Sequence, residues 1–223
     1  MLINTSITHT ASEVYDLVQD FQPGKNVINE PTGDFFYDPW TVKSEYLGTS
    51  IDKLLQKLPD AGEARINVLA PGESYMAHAD IDDRYHLNLN GEYSYLIDLQ
   101  NNKMHPLNVD DTVYLMDTAR IHTASNYGYK NRYQVVIRKL LHNADLVEPV
   151  RVRIDALENK YNLRYLFDNS FSVKLNILNK QRYIRGFKKL SDSAIEFEIE
   201  NDMLDHIDMC RATCGFKTNL TFC

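Results

Sequence analysis

The sequence predicts a mainly β chain, an antiparallel sandwich or jelly roll, followed by a small α+β appendage. Three observations predict it. Between residue 63 and about residue 140, short runs of alternating apolar and polar residues recur, with turn signals between them and no helix-length period. Helical periodicity is confined to the first 60 residues and to the stretch beyond Pro149. A chain of 223 residues with 43% hydrophobic and 25% charged residues can also bury a sizeable core.

"THTASEVYDLVQDF" reads as a first helix, with Val14, Leu17 and Val18 on one face and Thr10-x-x-Glu13 as a capping box. Residues 22–47 read as irregular. Within them "NEPTGDFFYDPW" concentrates Phe35, Phe36, Tyr37 and Trp40 among turn formers. These rings suit a packed lid over a core edge or a wall of a ligand pocket, and one element can serve both roles. "TSIDKLLQKLPD" reads as a second helix stopped near Pro59.

"EARINVLA", Pro71-Gly72 and "ESYMAHAD" then read as strand, turn, strand. "YHLNLNGEYSYLIDL" reads as a hairpin, since Asn90-Gly91 suits a type I′ turn. Asn101-Asn102 and Asp110-Asp111 mark further turns, with strands at "TVYLMD" and "RYQVVIRKLL". Beyond Pro149, "VRVRI" reads as a strand, "DALENKYNLRYLF" as a helix, and "SFSVKLNIL", "RYIRGFKKL" and "AIEFEIE" as strands. "NDMLDHIDMCRAT" reads as a helix and "FKTNLTF" as a last strand. The division expected is 1–149 for the β domain and 150–223 for the appendage.

Charge and composition narrow the function. Residues 151–223 carry 12 Lys/Arg and 10 Asp/Glu, which leaves 12 and 21 for residues 1–150. So acidic a main domain argues against a nucleic-acid groove. No apolar run reaches 18 residues, so no membrane span is expected. No secretory signal is visible at the start of the chain. Three cysteines, Cys210, Cys214 and Cys223, do not make a disulfide framework and point to a reduced, cytoplasmic protein. Cys210-x3-Cys214 reads as two small buried thiols on a helix rather than a metal pair.

The chemistry concentrates in "AHADIDDRYHLNL", residues 77–89. On a strand, residues two apart share a face, so His78 and Asp80 project into one space. An imidazole and a carboxylate side by side are two ligands for a divalent metal, and His122 is the candidate third. Two His and one carboxylate on one face of an ion leave sites open, the arrangement of non-haem Fe(II) oxygenases. Arg132, ten residues beyond His122, suits a bidentate hold on a dicarboxylate. Other histidines carry less weight: His105 beside Pro106 reads as a turn residue, and His9, His142 and His206 as solvated or partly packed.

"PGESYMAHADIDDRYHLNL" followed by "IHTASNYGYKNRYQVVI" resembles the aspartyl/asparaginyl β-hydroxylase-like branch of the 2-oxoglutarate/Fe(II) dioxygenases, of the proline cis-4-hydroxylase type. The residues that carry the resemblance are Pro71-Gly72, His78 and Asp80, Arg84 and His86, His122 and Asn126, and Arg132, within residues 63–140. The resemblance implies a double-stranded β-helix (jelly roll, cupin-like) with flanking N-terminal helices and a small C-terminal α+β domain. It implies that His78, Asp80 and His122 bind Fe(II). Arg132 would hold the distal carboxylate of the cosubstrate 2-oxoglutarate, and Arg84 and His86 would help place the carboxylate nearer the metal. The expected activity is hydroxylation of an amino acid or peptidyl side chain by O2, with succinate and CO2 as co-products. The alternatives are a catalytically silent jelly-roll ligand-binding module and a cupin-type metal enzyme that does not use 2-oxoglutarate. No nucleic acid or membrane partner is expected, and the sequence does not fix the oligomeric state.

Overall fold

The computed structural model describes residues 2–156, 172–191, 194–213 and 218–222. They form a mainly β chain with several antiparallel sheets. By internal contacts the chain divides into two compact units, residues 1–77 with 83–140, and residues 78–82 with 141–223.

The first unit begins with a strand that the sequence did not announce, β1 (Leu2–Thr8). Helix α1 (Ala11–Val18) follows, then the short strands β2 (Gly24–Val27), β3 (Asn29–Pro31) and β4 (Trp40–Val42), then helix α2 (Ser50–Gln56). The long strand β5 (Ala61–Leu69) opens the main sheet. After it come β6 (Arg84–Asn88), β7 (Ser94–Asp98), β8 (Lys103–Pro106), β9 (Thr112–Met116), β10 (His122–Asn126) and β11 (Arg132–Lys139). A six-stranded sheet runs in the order β1-β9-β6-β11-β5-β2, a three-stranded sheet in the order β10-β7-β8, and β3 pairs with β4.

The six-stranded sheet has two unlike faces. One carries Ala64, Ile66 and Val68 from β5, Tyr85 and Leu87 from β6, and Tyr133, Val135 and Ile137 from β11. These pack with Ala11, Val14 and Val18 of α1 and Ile51 and Leu54 of α2 into one apolar core. The helical period of α1 and α2 and the twofold period of the strands meet there, and burial of this area is the main stabilising term. The other face is polar, and its residues reappear below. At one end Met116 of β9 joins Leu96 and Ala124 of the three-stranded sheet in a second apolar cluster.

Helix α1 is capped differently from the capping box expected. Thr10 makes no side-chain cap bond. The Asp111 carboxylate instead accepts from the Ala11 N–H at 2.8 Å. Glu13 accepts from the Ser50 hydroxyl at 3.1 Å, tying α1 to α2. His9 is buried rather than solvated, with Nε2 2.8 Å from that same hydroxyl and Nδ1 3.2 Å from the Lys57 ammonium.

Two strand readings need correction in this unit. Residues 85–99 are not a hairpin, because β6 and β7 belong to different sheets. Asn90 explains the departure. Its amide donates to the Asn131 carbonyl at 3.1 Å and its oxygen accepts from Tyr133 N–H at 2.7 Å, so the turn is tied to the start of β11. Residues 73–80 are not a regular strand either. Residues 73–75 run beside β10 through Tyr75 N–H to Ala124 O at 3.0 Å and an isolated Ser74–Ser125 bridge.

In the second unit β12 (Pro149–Ala156), β13 (Ile184–Ser191), β14 (Ala194–Glu200) and β15 (Thr218–Phe222) form a sheet in the order β13-β14-β12-β15. Ser172–Lys180, read as a strand, is a helix, α3. Its buried residues Ser172, Leu175, Asn176, Leu178 and Asn179 follow spacings of three and four, the helical period, which the alternation in "SVKLNIL" masked. A last helix, α4 (Leu204–Thr213), matches its expectation. Most of the helix expected from residue 155 onward, together with Cys214 and Cys223, lies outside the described residues, as does the side chain of Cys210. No helix among the described residues is long and apolar enough to cross a membrane.

The end of the main sheet supplies a test of these packing rules. Asp60 accepts from Tyr85 Oη at 2.7 Å and sits 2.6 Å from Lys139 Nζ. Burial alone would raise its carboxyl, but the bonds from Lys139 and Tyr85 outweigh it and hold the pKa below the usual value. A carboxylate depressed in the folded state contributes stability above the unfolded pKa, and the contribution fades as pH falls through the folded one. Asp60→Asn should therefore cost about 1–2 kcal/mol at pH 7 in chemical denaturation. The gap should narrow below pH 4. A difference constant from pH 7 to pH 2 would contradict the assignment.

Candidate metal centre and anion pocket

The ligand atoms of His78, Asp80 and His122 all lie within 4.8 Å of one another. His78 Nε2 is 3.7 Å from Asp80 Oδ2. The segment 78–82 is covalently continuous with Ala77 and Asp83, and Asn176 of α3 donates to the Asp80 carbonyl at 3.2 Å. Convergence of the pair therefore rests on an irregular, tethered segment rather than on the strand pleat that the sequence suggested.

His122 opens β10, opposite Asp98 of β7. Its Nδ1 lies 2.8 Å from the Arg120 carbonyl. A carbonyl only accepts, so Nδ1 carries the proton and Nε2 keeps the lone pair that a metal needs. Asp98 is buried. Burial raises its carboxyl, but bonds from Asn101 and the charge of Arg120 prevail and hold the pKa low. First-row divalent ions take imidazole and carboxylate donors at about 2.0–2.2 Å. Donors clustered this closely need only small adjustments to share one ion. Two nitrogens and one oxygen suit Fe(II), and such a site keeps open positions.

The polar face of the six-stranded sheet lies in the same unit as His122. Strand register defines it. On β11 it carries Arg132, Gln134, Val136 and Arg138, opposite Asn88, His86 and Arg84 on β6 and Leu69, Asn67 and Arg65 on β5. Arg132 is 1% exposed, and no carboxylate among the described residues pairs with it. Among the described residues its Nε and Nη1 make no hydrogen bond, and Nη2 lies 3.5 Å from Gln134 Oε1. The Tyr75 ring sits 5.8 Å from the guanidinium carbon. Burial lowers the Arg132 pKa from its usual value, although Tyr75 opposes the shift. A buried guanidinium with two unmet donors is costly unless an anion completes it.

His86, partly buried, is held neutral. Burial and then the neighbouring Arg84 push its pKa down to about 3. Arg84 is itself buried. Asn67, Asn88 and Gln134, which the sequence did not single out, form one rung of carboxamides across three strands. Only their register reveals them, because a lone Asn or Gln in a strand carries no spacing signal.

The aromatic segment is a hydrogen-bonded loop. Thr32 closes its base with two bonds to the Pro39 carbonyl, from N–H at 3.4 Å and from Oγ1 at 2.6 Å. Asp34 N–H donates to Asp38 at 2.6 Å. A Cβ at Gly33 would come 2.2 Å from Asp38 Oδ2, so any larger residue there would displace the carboxylate that accepts this bond. Phe35 and Phe36 then stack on Arg138 at 4.6 and 4.8 Å, at the end of the polar face. Trp40 packs edge-on against Phe35. His105, read as a turn residue, lies in β8.

No family model and no curated protein matches the chain. Among solved structures it is similar to a crystal structure of CapF with the inhibitor 3-isopropenyl-tropolone, at a TM-score of 0.32 and 13% identity. That match covers 56% of this chain and 32% of the other, too slight a likeness to carry fold or function.

The metal assignment is tested by titrating Fe(II), or Mn(II) as its redox-stable substitute, into the full chain. One ion per chain should bind and raise Tm. His122→Ala should abolish that binding while leaving the metal-free melting curve intact. Unchanged metal affinity in the variant would remove His122 from the site.

Proposed function

We propose that this chain is an Fe(II)- and 2-oxoglutarate-dependent dioxygenase, built on a double-stranded β-helix, that hydroxylates an amino acid or peptidyl side chain. One observation carries the reading. A two-histidine, one-carboxylate cluster occurs in the same chain as a buried guanidinium that no carboxylate among the described residues neutralises. The first suits a metal with open positions. The second suits the far carboxylate of a small dianion.

Under this reading His78, Asp80 and His122 hold the iron. The metal supplies O2 activation, coupled to conversion of 2-oxoglutarate into succinate and CO2 and to insertion of one oxygen atom into a substrate C–H bond. The chain's own residues bind, orient and exclude water. Arg132 anchors the distal carboxylate. Arg84 supplies charge near the proximal one, and His86, neutral at physiological pH, offers a hydrogen bond without adding a charge. The aromatic wall of Phe35, Phe36 and Trp40 limits solvent at the end of the polar face and contacts the substrate.

Succinate release from 2-oxoglutarate with Fe(II), across a panel of free amino acids and peptides, tests the reaction. Turnover should rise sharply with the right substrate. Metal binding without any 2-oxoglutarate turnover would indicate a cupin-type enzyme of another kind, and absence of metal binding a silent module. Arg132→Lys keeps the charge but loses the planar fork. It should weaken 2-oxoglutarate binding by about 1.5–3 kcal/mol and spare the metal. An unchanged affinity would sink the anchor assignment.

A further inference from the structure

Resting on Arg132 as the carboxylate anchor, we propose that Gln134 is a positioning residue that aims the Arg132 guanidinium. It acts through a one-way hydrogen-bond chain ending on a backbone carbonyl. The chain can be followed from its fixed end. Asn88 Nδ2 donates to the Asn108 carbonyl at 3.0 Å. That carbonyl can only accept, so the Asn88 NH2 must face it and the Asn88 oxygen must face the other way. Gln134 Nε2 donates to this oxygen at 2.6 Å. The Gln134 oxygen is therefore turned toward Arg132, whose Nη2 lies 3.5 Å away. Flipping either amide would set like groups against each other along the chain. Gln134 and Asn88 are 3% and 5% exposed, so water does not compete for these bonds.

The chemistry of the last link is the informative part. A carboxamide oxygen at 3.5 Å orients a guanidinium but does not neutralise it. Nε and Nη1 are left without partners inside a buried space. A glutamate at position 134 would have the same length and would satisfy Arg132 permanently. The chain instead places a neutral acceptor there, which fixes the direction of the fork and leaves the charge for an incoming carboxylate. The position is suited to the task. Residues 132 and 134 share one face of β11, and Gln134 is flanked at the same rung by Asn88 and Asn67.

The test compares Gln134→Glu and Gln134→Met with the native full chain loaded with Mn(II), using 2-oxoglutarate and glutarate as probes in calorimetry. Gln134→Glu should lose roughly tenfold or more in affinity for both dianions, because its own carboxylate occupies Arg132. Its Tm should hold or rise, and its Mn(II) affinity should not change. Gln134→Met, which removes the acceptor without adding a charge, should lose less affinity for both probes than Gln134→Glu. A residue that only packs the core would lower Tm and affinity together in both variants. Native protein that binds both dianions while Gln134→Glu binds them within about twofold overturns the Gln134 role alone. Native protein that binds neither dianion overturns the Arg132 anchor and this inference with it.

Discussion

The alternation of strand β11 is the constraint on which the rest depends. Tyr133, Val135 and Ile137 point into the apolar core under α1 and α2, while Arg132 and Gln134 point the other way. Because a strand has a period of two, a slip of one residue would drive a guanidinium into the core and expose three large apolar side chains. The register is held from both sides by β5 and β6, each paired with β11 along most of its length. A hydrophobic core on one face thus fixes where every polar group on the other face must stand.

That polar face runs against the general economy of folding. Buried donors and acceptors are normally satisfied, and buried charges are paired. Here Arg132 retains two unmet donors and Asn67 an unmet acceptor. Such a face costs stability. The apolar core beneath the helices tolerates this because it is continuous and well buried, drawing on both helices and four strands of the large sheet. The apolar core and the buried polar groups are thus separated onto the two sides of one sheet.

Strands β5, β6, β7, β9 and β11, the strands of the second unit and helices α1, α2 and α4 were legible in the sequence, because alternation and helical period report directly on which side chains are buried; β1, β8, β10 and the short strands β2 to β4 within residues read as irregular were not. The failures have local causes. The Asn90-Gly91 turn has hairpin chemistry, yet the Asn90 side chain bonds to β11, and the chain passes from one sheet to the other. Residues 172–180 alternate like a strand over a few positions, while their burial follows a helix. Thr10 and Glu13 have the spacing of a capping box, but long-range partners, Asp111 and Ser50, take over both roles. The gathering of His78, Asp80 and His122 was legible from types and spacing, although the strand invoked to explain the first pair is irregular. The Asn67–Gln134–Asn88 rung was not legible, because it exists only once three distant strands are in register.

The central claim is that metal cluster and guanidinium serve one ligand, which makes their binding reciprocally linked. The most direct measurement is an anaerobic calorimetric titration of 2-oxoglutarate into the chain with and without Fe(II). The account predicts tight one-to-one binding with metal, much weaker binding without it, and an equal gain in Fe(II) affinity when 2-oxoglutarate is present. Equal 2-oxoglutarate affinity in the two states would contradict it, since the dianion would then be held without touching the metal.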